Sequence, residues 1–167
     1  KALVVACNTA SAVAIDHLRE RWPSLPVIGV VEPGAEAACA ASVTGRIAVI
    51  GTESTVRGGA YQAAIARRRA DASFEGRACS VFVALAEEGW FDGPAAEAVA
   101  RSYLAGWLPE DPRGDWHPDA LVLGCTHFPV LAPMIGRLLG PEVTLVDSAW
   151  TTAHAVAAMI EGTRDAP

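Results

Sequence analysis

Two cysteines in this sequence close apolar runs that are near copies of each other. Cys7 follows Ala2–Ala6, Cys125 follows Ala120–Gly124, and polar residues come directly after both. An apolar run that ends in polar residues before a helical pattern predicts a strand-to-helix turn, where free backbone N–H groups and the positive helix end gather. That environment favours thiolate over thiol, and it binds a carboxylate without needing a lysine. Both cysteines are therefore candidate reactive groups beside a small acid.

Two matching thiols restrict the chemistry that these turns support. A phosphatase loop needs an arginine shortly after its cysteine, and the corresponding positions hold Val13 and Leu131. A zinc site needs more ligands than two cysteines and one histidine readily supply, and a cysteine hydrolase uses one thiol with one base. Two thiols on opposite sides of a small ligand suit proton removal from one face and proton donation to the other. The pattern favours a two-base racemase or epimerase, whereas Cys39 and Cys79 are expected to pack as small apolar residues.

The strands and helices that position these two turns alternate along the chain. Short runs rich in valine, isoleucine and leucine lack strict alternation, as in strands that are buried on both faces. We predict strands over Ala2–Ala6, Val27–Val31, Ile47–Ile50, Cys79–Val83, Leu121–Gly124 and Val143–Val146. Helical patterns lie between them, at 9–21, 34–43, 55–70, 94–106, 130–139 and 149–161. The alternation predicts an α/β fold with a parallel sheet flanked by helices, in which ligands lie at the carboxyl ends of the strands.

The composition argues against several classes of partner. The 167 residues carry 19 acidic and 13 basic side chains, for a formal net charge of -6, and the basic run is 67–69. Without a basic stripe we expect no nucleic-acid partner. No apolar stretch is long enough to cross a membrane, so we expect no membrane partner and a cytoplasmic location. Four cysteines in a reducing compartment do not predict a disulfide framework, and because they form no C-x-x-C pair we predict no metal site.

Two motifs built around the cysteines resemble the signatures of bacterial glutamate racemase, in the aspartate/glutamate racemase superfamily. The first is Ala6–Ser11 (ACNTAS), and the second is Leu123–Pro129 (LGCTHFP). The supporting stretches are Val30–Gly34, Ile50–Thr52 with Thr55, and Leu85–Gly89, and together they extend the resemblance over nearly all of the chain. Aspartate racemases usually carry another residue where His127 stands, so this motif favours glutamate.

The resemblance implies a cofactor-independent interconversion of L- and D-glutamate, which supplies D-glutamate for peptidoglycan. It makes Cys7 and Cys125 the two alternating acid/base residues. The residues that it implies for substrate binding are Asn8, Thr9, Thr52, Thr55, Thr126 and His127. His127 would also assist proton transfer at Cys125, and Glu87, rather than Glu88, would orient that histidine.

The family has two similar lobes with the active site between them, and this implies a domain division. Residues 1–29 and 150–167 would be remnants of lobe A, and residues 30–149 would form lobe B, so that each lobe contributes one cysteine. The family's Asp-Ser-Gly turn and Tyr-Gly contact are not found before Lys1. We therefore expect a fragment with an incomplete first lobe and poor activity by itself. Ser54 and Ala84 stand where glycine and proline are common, which are mild departures.

Two other functions stay open at this point. A related racemase of the superfamily would act on aspartate or a hydantoin, and a non-catalytic protein would use the two turns only to bind a small acid. Apart from Lys1 the sequence has no lysine, so we expect no pyridoxal Schiff base within this chain, and no G-x-G-x-x-G loop is present. We expect no cofactor, glutamate as a small-molecule substrate partner, and a homodimer as a candidate assembly.

Overall fold

The computed structural model describes residues 1–112 and 114–164, over which strands alternate with helices. The strands are β1 (Leu3–Val5), β2 (Val27–Gly29), β3 (Arg46–Gly51), β4 (Ser73–Ala78), β5 (Ala120–Gly124) and β6 (Thr144–Asp147). The helices are α1 (Asn8–Arg21), α2 (Val31–Ala41), α3 (Glu53–Arg57), α4 (Ala60–Arg68), α5 (Val81–Glu87), α6 (Pro94–Tyr103), α7 (Ala132–Leu139) and α8 (Ser148–Arg164). A 3-10 helix, Phe128–Leu131, directly precedes α7.

The strands form two parallel sheets. β1 pairs with β2, and the other strands lie in the order β4-β3-β5-β6. The central strands of the larger sheet are β3 and β5, and their register places Gly51 beside Gly124. Because the carboxyl ends of parallel strands share one edge of the sheet, the residues that follow β3 and β5 meet there. The predicted α/β fold of parallel sheets flanked by helices is confirmed.

Buried residues pack on both faces of the four-stranded sheet. Successive side chains of a strand point to opposite faces, and β5 follows this rule. Leu121 and Leu123 pack in one hydrophobic group with residues of α5, α6 and α7, and Ala120 and Val122 pack in the other with residues of α2 and α4. A strand covered on both faces needs apolar side chains at every position, which is why β5 reads as a continuous apolar run.

The prediction of a strand at Cys79–Val83 is wrong. The strand of this region is β4, which ends at Ala78, and the apolar run belongs to α5, where Phe82 and Leu85 are buried one helical turn apart. Sequence analysis missed β4 because it is an edge strand, half-exposed, that pairs only with β3. Such a strand needs no continuous apolar run, and its sequence, SFEGRA, has none.

Most other elements lie within a few residues of their predicted bounds, and two of the differences have a clear physical reason. The helical pattern at 55–70 is divided into α3 and α4, and Gly59 between them has a φ of 66°, a left-handed conformation that favours glycine. The predicted strand Val27–Val31 ends at Gly29, because Val31 already begins α2.

The structure also locates the segments of the predicted lobes. The small sheet lies within residues 1–29, and the four-stranded sheet lies within 30–149. The division into lobes stays a prediction, and residues 165–167 of its last segment lie outside the described residues. None of the helices described here is both long enough and apolar enough to cross a membrane.

Candidate active site

The Cys7 turn joins β1 to α1. Cys7 has an extended backbone (φ -104°, ψ 128°) and caps the helix, and its carbonyl accepts the Ser11 N–H at 2.8 Å. Its thiol is exposed. Asn8 and Thr9 form the first turn of the helix, where the backbone N–H groups have no partner within the helix. The strand-to-helix turn that the sequence predicts at Cys7 is confirmed.

The Cys125 turn is buried and depends on a glycine. Cys125 follows β5, and only 6% of its surface is exposed. A Cβ atom at Gly124 would lie 2.8 Å from the carbonyl oxygen of Ile50, so the close approach of β5 to β3 leaves room for glycine alone. The chain then turns through Thr126 and His127 into the 3-10 helix.

Opposing influences act on the ionisation of the Cys125 thiol. Burial raises the pKa of the Cys125 thiol, and the charge of Cys7 raises that pKa as well. Hydrogen bonds from the backbone N–H groups of His127 and Thr126, and from the Thr126 side chain, act in the opposite direction because they stabilise the thiolate. Hydrogen bonds also join the two turns, because Asn8, next to Cys7, donates to Ser148, and Ser148 donates to the Leu123 carbonyl, two residues before Cys125.

His127 joins the Cys125 thiol to a carboxylate. Its Nδ1 lies 3.6 Å from the sulfur, and its Nε2 lies 2.5 Å from Oε1 of Glu87, at the end of α5. When Nε2 donates its proton to this carboxylate, Nδ1 of the neutral ring presents a lone pair to the thiol. The ring can then accept the thiol proton, and the carboxylate stabilises the cation that forms. Glu88, by contrast, is the C-cap of α5.

A cluster of threonine hydroxyls lies next to the Cys7 turn. Thr9 Oγ1 lies 2.9 Å from Thr52 Oγ1 and 3.1 Å from Thr55 Oγ1, and the last two atoms are 3.0 Å apart. Thr52 follows β3 and caps α3, where its oxygen accepts the Thr55 N–H at 3.3 Å. Because Thr9 comes from the turn after β1, the cluster joins residues of both sheets. Converging hydroxyl donors of this kind suit a carboxylate.

Asn8 is buried behind the Cys7 turn. Its Oδ1 accepts the Tyr61 hydroxyl at 2.6 Å, and its Nδ2 donates to Ser148 Oγ at 3.2 Å. Sequence analysis missed both partners. Tyr61 lies inside a helical pattern and gives no separate signal. Ser148 directly follows β6, at the same sheet edge as the Cys125 turn, and that position could have indicated it.

The structure arranges the predicted site residues in two groups, whose roles toward a substrate stay predictions. The group around the buried thiol is Cys125, Thr126, His127 and Glu87. The group at the exposed thiol is Cys7, Asn8, Thr9, Thr52 and Thr55. Cys79 is fully buried in the core, and Cys39 packs half-buried against the opposite face of the sheet. Within residues 1–112 and 114–164, no group of three or more His, Cys, Asp or Glu side chains could hold a metal ion.

Comparisons with known proteins relate this arrangement to a family. A model of the Asp/Glu/hydantoin racemase family matches residues 1–156. A glutamate racemase of Geobacter metallireducens is 50% identical over 162 residues, which cover 97% of this chain and 57% of that protein. A glutamate racemase of Chlorobaculum tepidum is 44% identical over 153 residues, which cover 92% of this chain and 54% of that protein. The chain thus spans just over half the length of these relatives.

Solved structures show the same similarity. The crystal structure of a glutamate racemase isoform from Bacillus anthracis matches with a TM-score of 0.88 at 36% identity, and it covers 98% of this chain and 59% of its own. That of a Francisella tularensis glutamate racemase in complex with D-glutamate matches with a TM-score of 0.83 at 31% identity, over 98% of this chain and 58% of its own. Since the family model covers nearly the whole sequence and includes both cysteine turns, the chain belongs to the Asp/Glu/hydantoin racemase family.

Proposed function

We propose that the protein carrying this chain interconverts L- and D-glutamate, with Cys7 and Cys125 as its two acid/base residues. The observation that carries the proposal is the buried hydrogen-bond path between the two cysteine turns, from Asn8 beside Cys7 through Ser148 to the Leu123 carbonyl just before Cys125. Similarity to proteins named glutamate racemase, one of them bound to D-glutamate, supports glutamate as the substrate.

In the proposed reaction one thiolate removes the Cα proton and the opposite thiol donates a proton to the other face. The first C–H bond breaks, its electron pair stays on Cα, and a new C–H bond forms with inverted configuration. The amino acid gains and loses one proton, and the two sulfurs exchange their protonation states. Each cysteine is therefore the base in one direction and the acid in the other.

His127 and Glu87 assist the Cys125 half of this reaction. The imidazole Nδ1 is within reach of the sulfur at 3.6 Å, and the Glu87 carboxylate holds the opposite ring nitrogen. A buried thiol loses its proton less readily than a solvated one, so a neighbouring acceptor offsets the effect of burial. The pair thereby keeps Cys125 able to act as a base although it is nearly inaccessible to water.

The polar residues of both turns bind the substrate. The hydroxyls of Thr9, Thr52 and Thr55 converge and bind a carboxylate, together with free N–H groups at the helix starts. Thr126 is exposed beside Cys125, and its hydroxyl and His127 contact the substrate from the other turn. Asn8 uses one Nδ2 proton inside the protein, and the second is the one that we propose for the substrate.

The setting of the reaction follows from its product. D-glutamate is a building block of peptidoglycan, so the proposed role is in cell wall biogenesis and cell shape, in the cytoplasm. Thiol, imidazole and carboxylate groups supply every proton transfer in the scheme, and we propose that no cofactor takes part. A homodimer is the assembly that we propose for the intact protein.

The substrate is tested with the intact protein after dialysis against a chelator. Circular dichroism should follow the loss of optical activity of L-glutamate and of D-glutamate, while L-aspartate and a hydantoin stay unchanged. Faster turnover of aspartate or the hydantoin would contradict glutamate as the substrate. Binding of glutamate without any exchange of its Cα proton would show a non-catalytic binding protein.

A further inference from the structure

A chain of buried hydrogen bonds links α4 to the strand that ends at Cys125. The Tyr61 hydroxyl donates to Asn8 Oδ1 at 2.6 Å, Asn8 Nδ2 donates to Ser148 Oγ at 3.2 Å, and Ser148 Oγ donates to the Leu123 carbonyl at 3.1 Å. The three side chains are each only 2% exposed. Asn8 directly follows Cys7, and Leu123 lies just before Gly124 and Cys125. The hydrogen bonds therefore connect one cysteine turn to the other.

The direction of these hydrogen bonds is fixed at the Leu123 end. A backbone carbonyl only accepts, so the single hydroxyl proton of Ser148 goes to Leu123, and Ser148 Oγ must accept from Asn8. Asn8 therefore presents Nδ2 to Ser148 and Oδ1 to Tyr61, whose hydroxyl must donate. Burial raises the pKa of Tyr61 above its ordinary value, so the hydroxyl keeps its proton at neutral pH. The carboxamide of Asn8 is thus held in one orientation.

Two glycines hold the Tyr61 ring in place. A Cβ atom at Gly34, in α2, would lie 3.1 Å from the Tyr61 hydroxyl oxygen, and one at Gly124 would lie 3.4 Å from its Cε2. The ring therefore fits between α2 and the residue before Cys125. Gly34 is the last residue of Val30–Gly34, one of the stretches that carry the family resemblance. The proposed reaction does not explain why glycine stands at this position. Contact with Tyr61 supplies one.

We propose that Tyr61 is a positioning residue of the two-thiol site and acts through Asn8. The inference rests on the proposed racemase function, in which the second Nδ2 proton of Asn8 meets the substrate. Without the Tyr61 hydroxyl, Oδ1 of Asn8 is buried without its donor, and the carboxamide is held only by the hydrogen bond from Nδ2 to Ser148. The Cys7 turn then also loses its buried hydrogen bond to α4.

The kinetic test compares Tyr61→Phe with Tyr103→Phe in the intact protein. These are the only tyrosines of the sequence, and the Tyr103 hydroxyl also makes one hydrogen bond, accepting the Val81 N–H at 3.1 Å. Tyr61→Phe should lower kcat for glutamate about tenfold or more even at saturating substrate, because misplaced groups slow a reaction that depends on orientation. Tyr103→Phe should leave kcat and KM unchanged. A Tyr61→Phe protein that melts earlier but keeps the wild-type kcat and KM when folded would overturn the proposal.

Gly34→Ala supplies an independent variant that keeps the hydroxyl but displaces it. Alanine is favoured over glycine inside a helix, so this change should not unfold α2 by itself. We expect a lower kcat, and we expect the double variant with Tyr61→Phe to be no slower than Tyr61→Phe alone, since both act on the same contact. Full additivity of the two defects would contradict a shared route through the Tyr61 hydroxyl.

A spectroscopic test measures how firmly the Asn8 carboxamide is held, and it does not depend on turnover. Asn8 is the only asparagine among the 167 residues, and selective nitrogen-15 asparagine labelling gives a carboxamide signal that is identified by its loss in Asn8→Asp. Hydrogen exchange of this carboxamide should become at least about tenfold faster in Tyr61→Phe and stay unchanged in Tyr103→Phe. If the wild type does not racemise glutamate, the proposed function fails, and this readout still decides whether Tyr61 orients Asn8. Unchanged exchange in Tyr61→Phe would overturn the inference.

Discussion

The two cysteine turns have similar sequences but different surroundings. Cys125 follows a central strand of the four-stranded sheet and is buried, whereas Cys7 follows a short strand of the two-stranded sheet and is exposed. Cys125 has an imidazole and a carboxylate beside it, and the Cys7 turn adjoins threonine hydroxyls and a buried carboxamide.

The difference shows which features of each site depend on the sequence next to the cysteine and which depend on distant residues. The motif ends a parallel strand at the cysteine in both places, but Cys7 caps an α-helix directly, whereas Cys125 is followed by a turn and a 3-10 helix. The acid/base environment comes from elements that lie far away in sequence: Glu87 reaches His127 from α5, and Thr52 reaches Thr9 from the end of β3. We therefore expect the two thiols to be equally necessary but to respond differently when their neighbours are changed.

The largest effect is expected when either thiol is replaced. Cys7→Ser and Cys125→Ser in the intact protein should each lower racemisation by at least about a thousandfold, because a serine hydroxyl is far too weak an acid to ionise. Cys39→Ser is the matched control and should keep wild-type turnover. Circular dichroism of glutamate measures all three. Turnover by either serine variant at more than a tenth of the wild-type rate would contradict the prediction that both thiols are necessary.

A smaller and one-sided effect is expected at His127 and Glu87. His127→Gln and Glu87→Gln should lower kcat roughly 10- to 100-fold, the range for loss of an assisting acid/base group. Alkylation by iodoacetamide, followed by mass spectrometry, should slow at Cys125 and stay unchanged at Cys7. Glu88→Gln is the control and should alter neither. Equal slowing at both thiols would contradict the assignment of this pair to Cys125 alone.

Some features of the fold and the candidate site can be predicted from the sequence, and others cannot. The runs around Cys7 and Cys125 identify both turns because each strand is a continuous apolar segment and each turn is local. β5 is buried as such a run predicts, whereas β1 is half-exposed, with Val4 40% exposed. β4 is missed because an edge strand needs no such segment. The Tyr61–Asn8 hydrogen bond is also missed, since it joins residues 53 positions apart and neither carries a local signal. Local patterns therefore locate the thiols, and long-range packing decides what surrounds them.

The backbone of the Cys125 turn should be sensitive to one methyl group. Gly124→Ala places a Cβ atom 2.8 Å from the Ile50 carbonyl oxygen, and we expect it to lower the free energy of unfolding by about 2 kcal/mol. Gly136→Ala, in α7, meets Leu145 at an ordinary 3.5 Å and should be neutral or raise that free energy by up to about 1 kcal/mol. Urea unfolding measures both. A Gly124→Ala protein as stable as the wild type would contradict the tight approach of β5 to β3.

The smallest effect concerns the ionisation of Cys125. Burial is the main cause that raises the pKa of the Cys125 thiol, and the charge of Cys7 adds to it, so Cys7→Ala should lower that pKa slightly. The rate of Cys125 alkylation should then reach its midpoint at a lower pH than in the wild type. Cys39→Ala should leave the midpoint where it is. A midpoint that is unchanged or higher in Cys7→Ala would contradict the interaction between the two sulfurs.

The central claim is that two thiols act on opposite faces of one carbon, and isotope exchange during early turnover tests it most directly. L-glutamate is incubated with the intact protein in deuterium oxide, and the enantiomers are separated before much product has formed. Two bases predict that the new D-glutamate carries deuterium at Cα while the remaining L-glutamate keeps its proton. If both enantiomers gain deuterium at the same initial rate, or if the product retains the original proton, a single base serves both faces and the two-thiol mechanism is wrong.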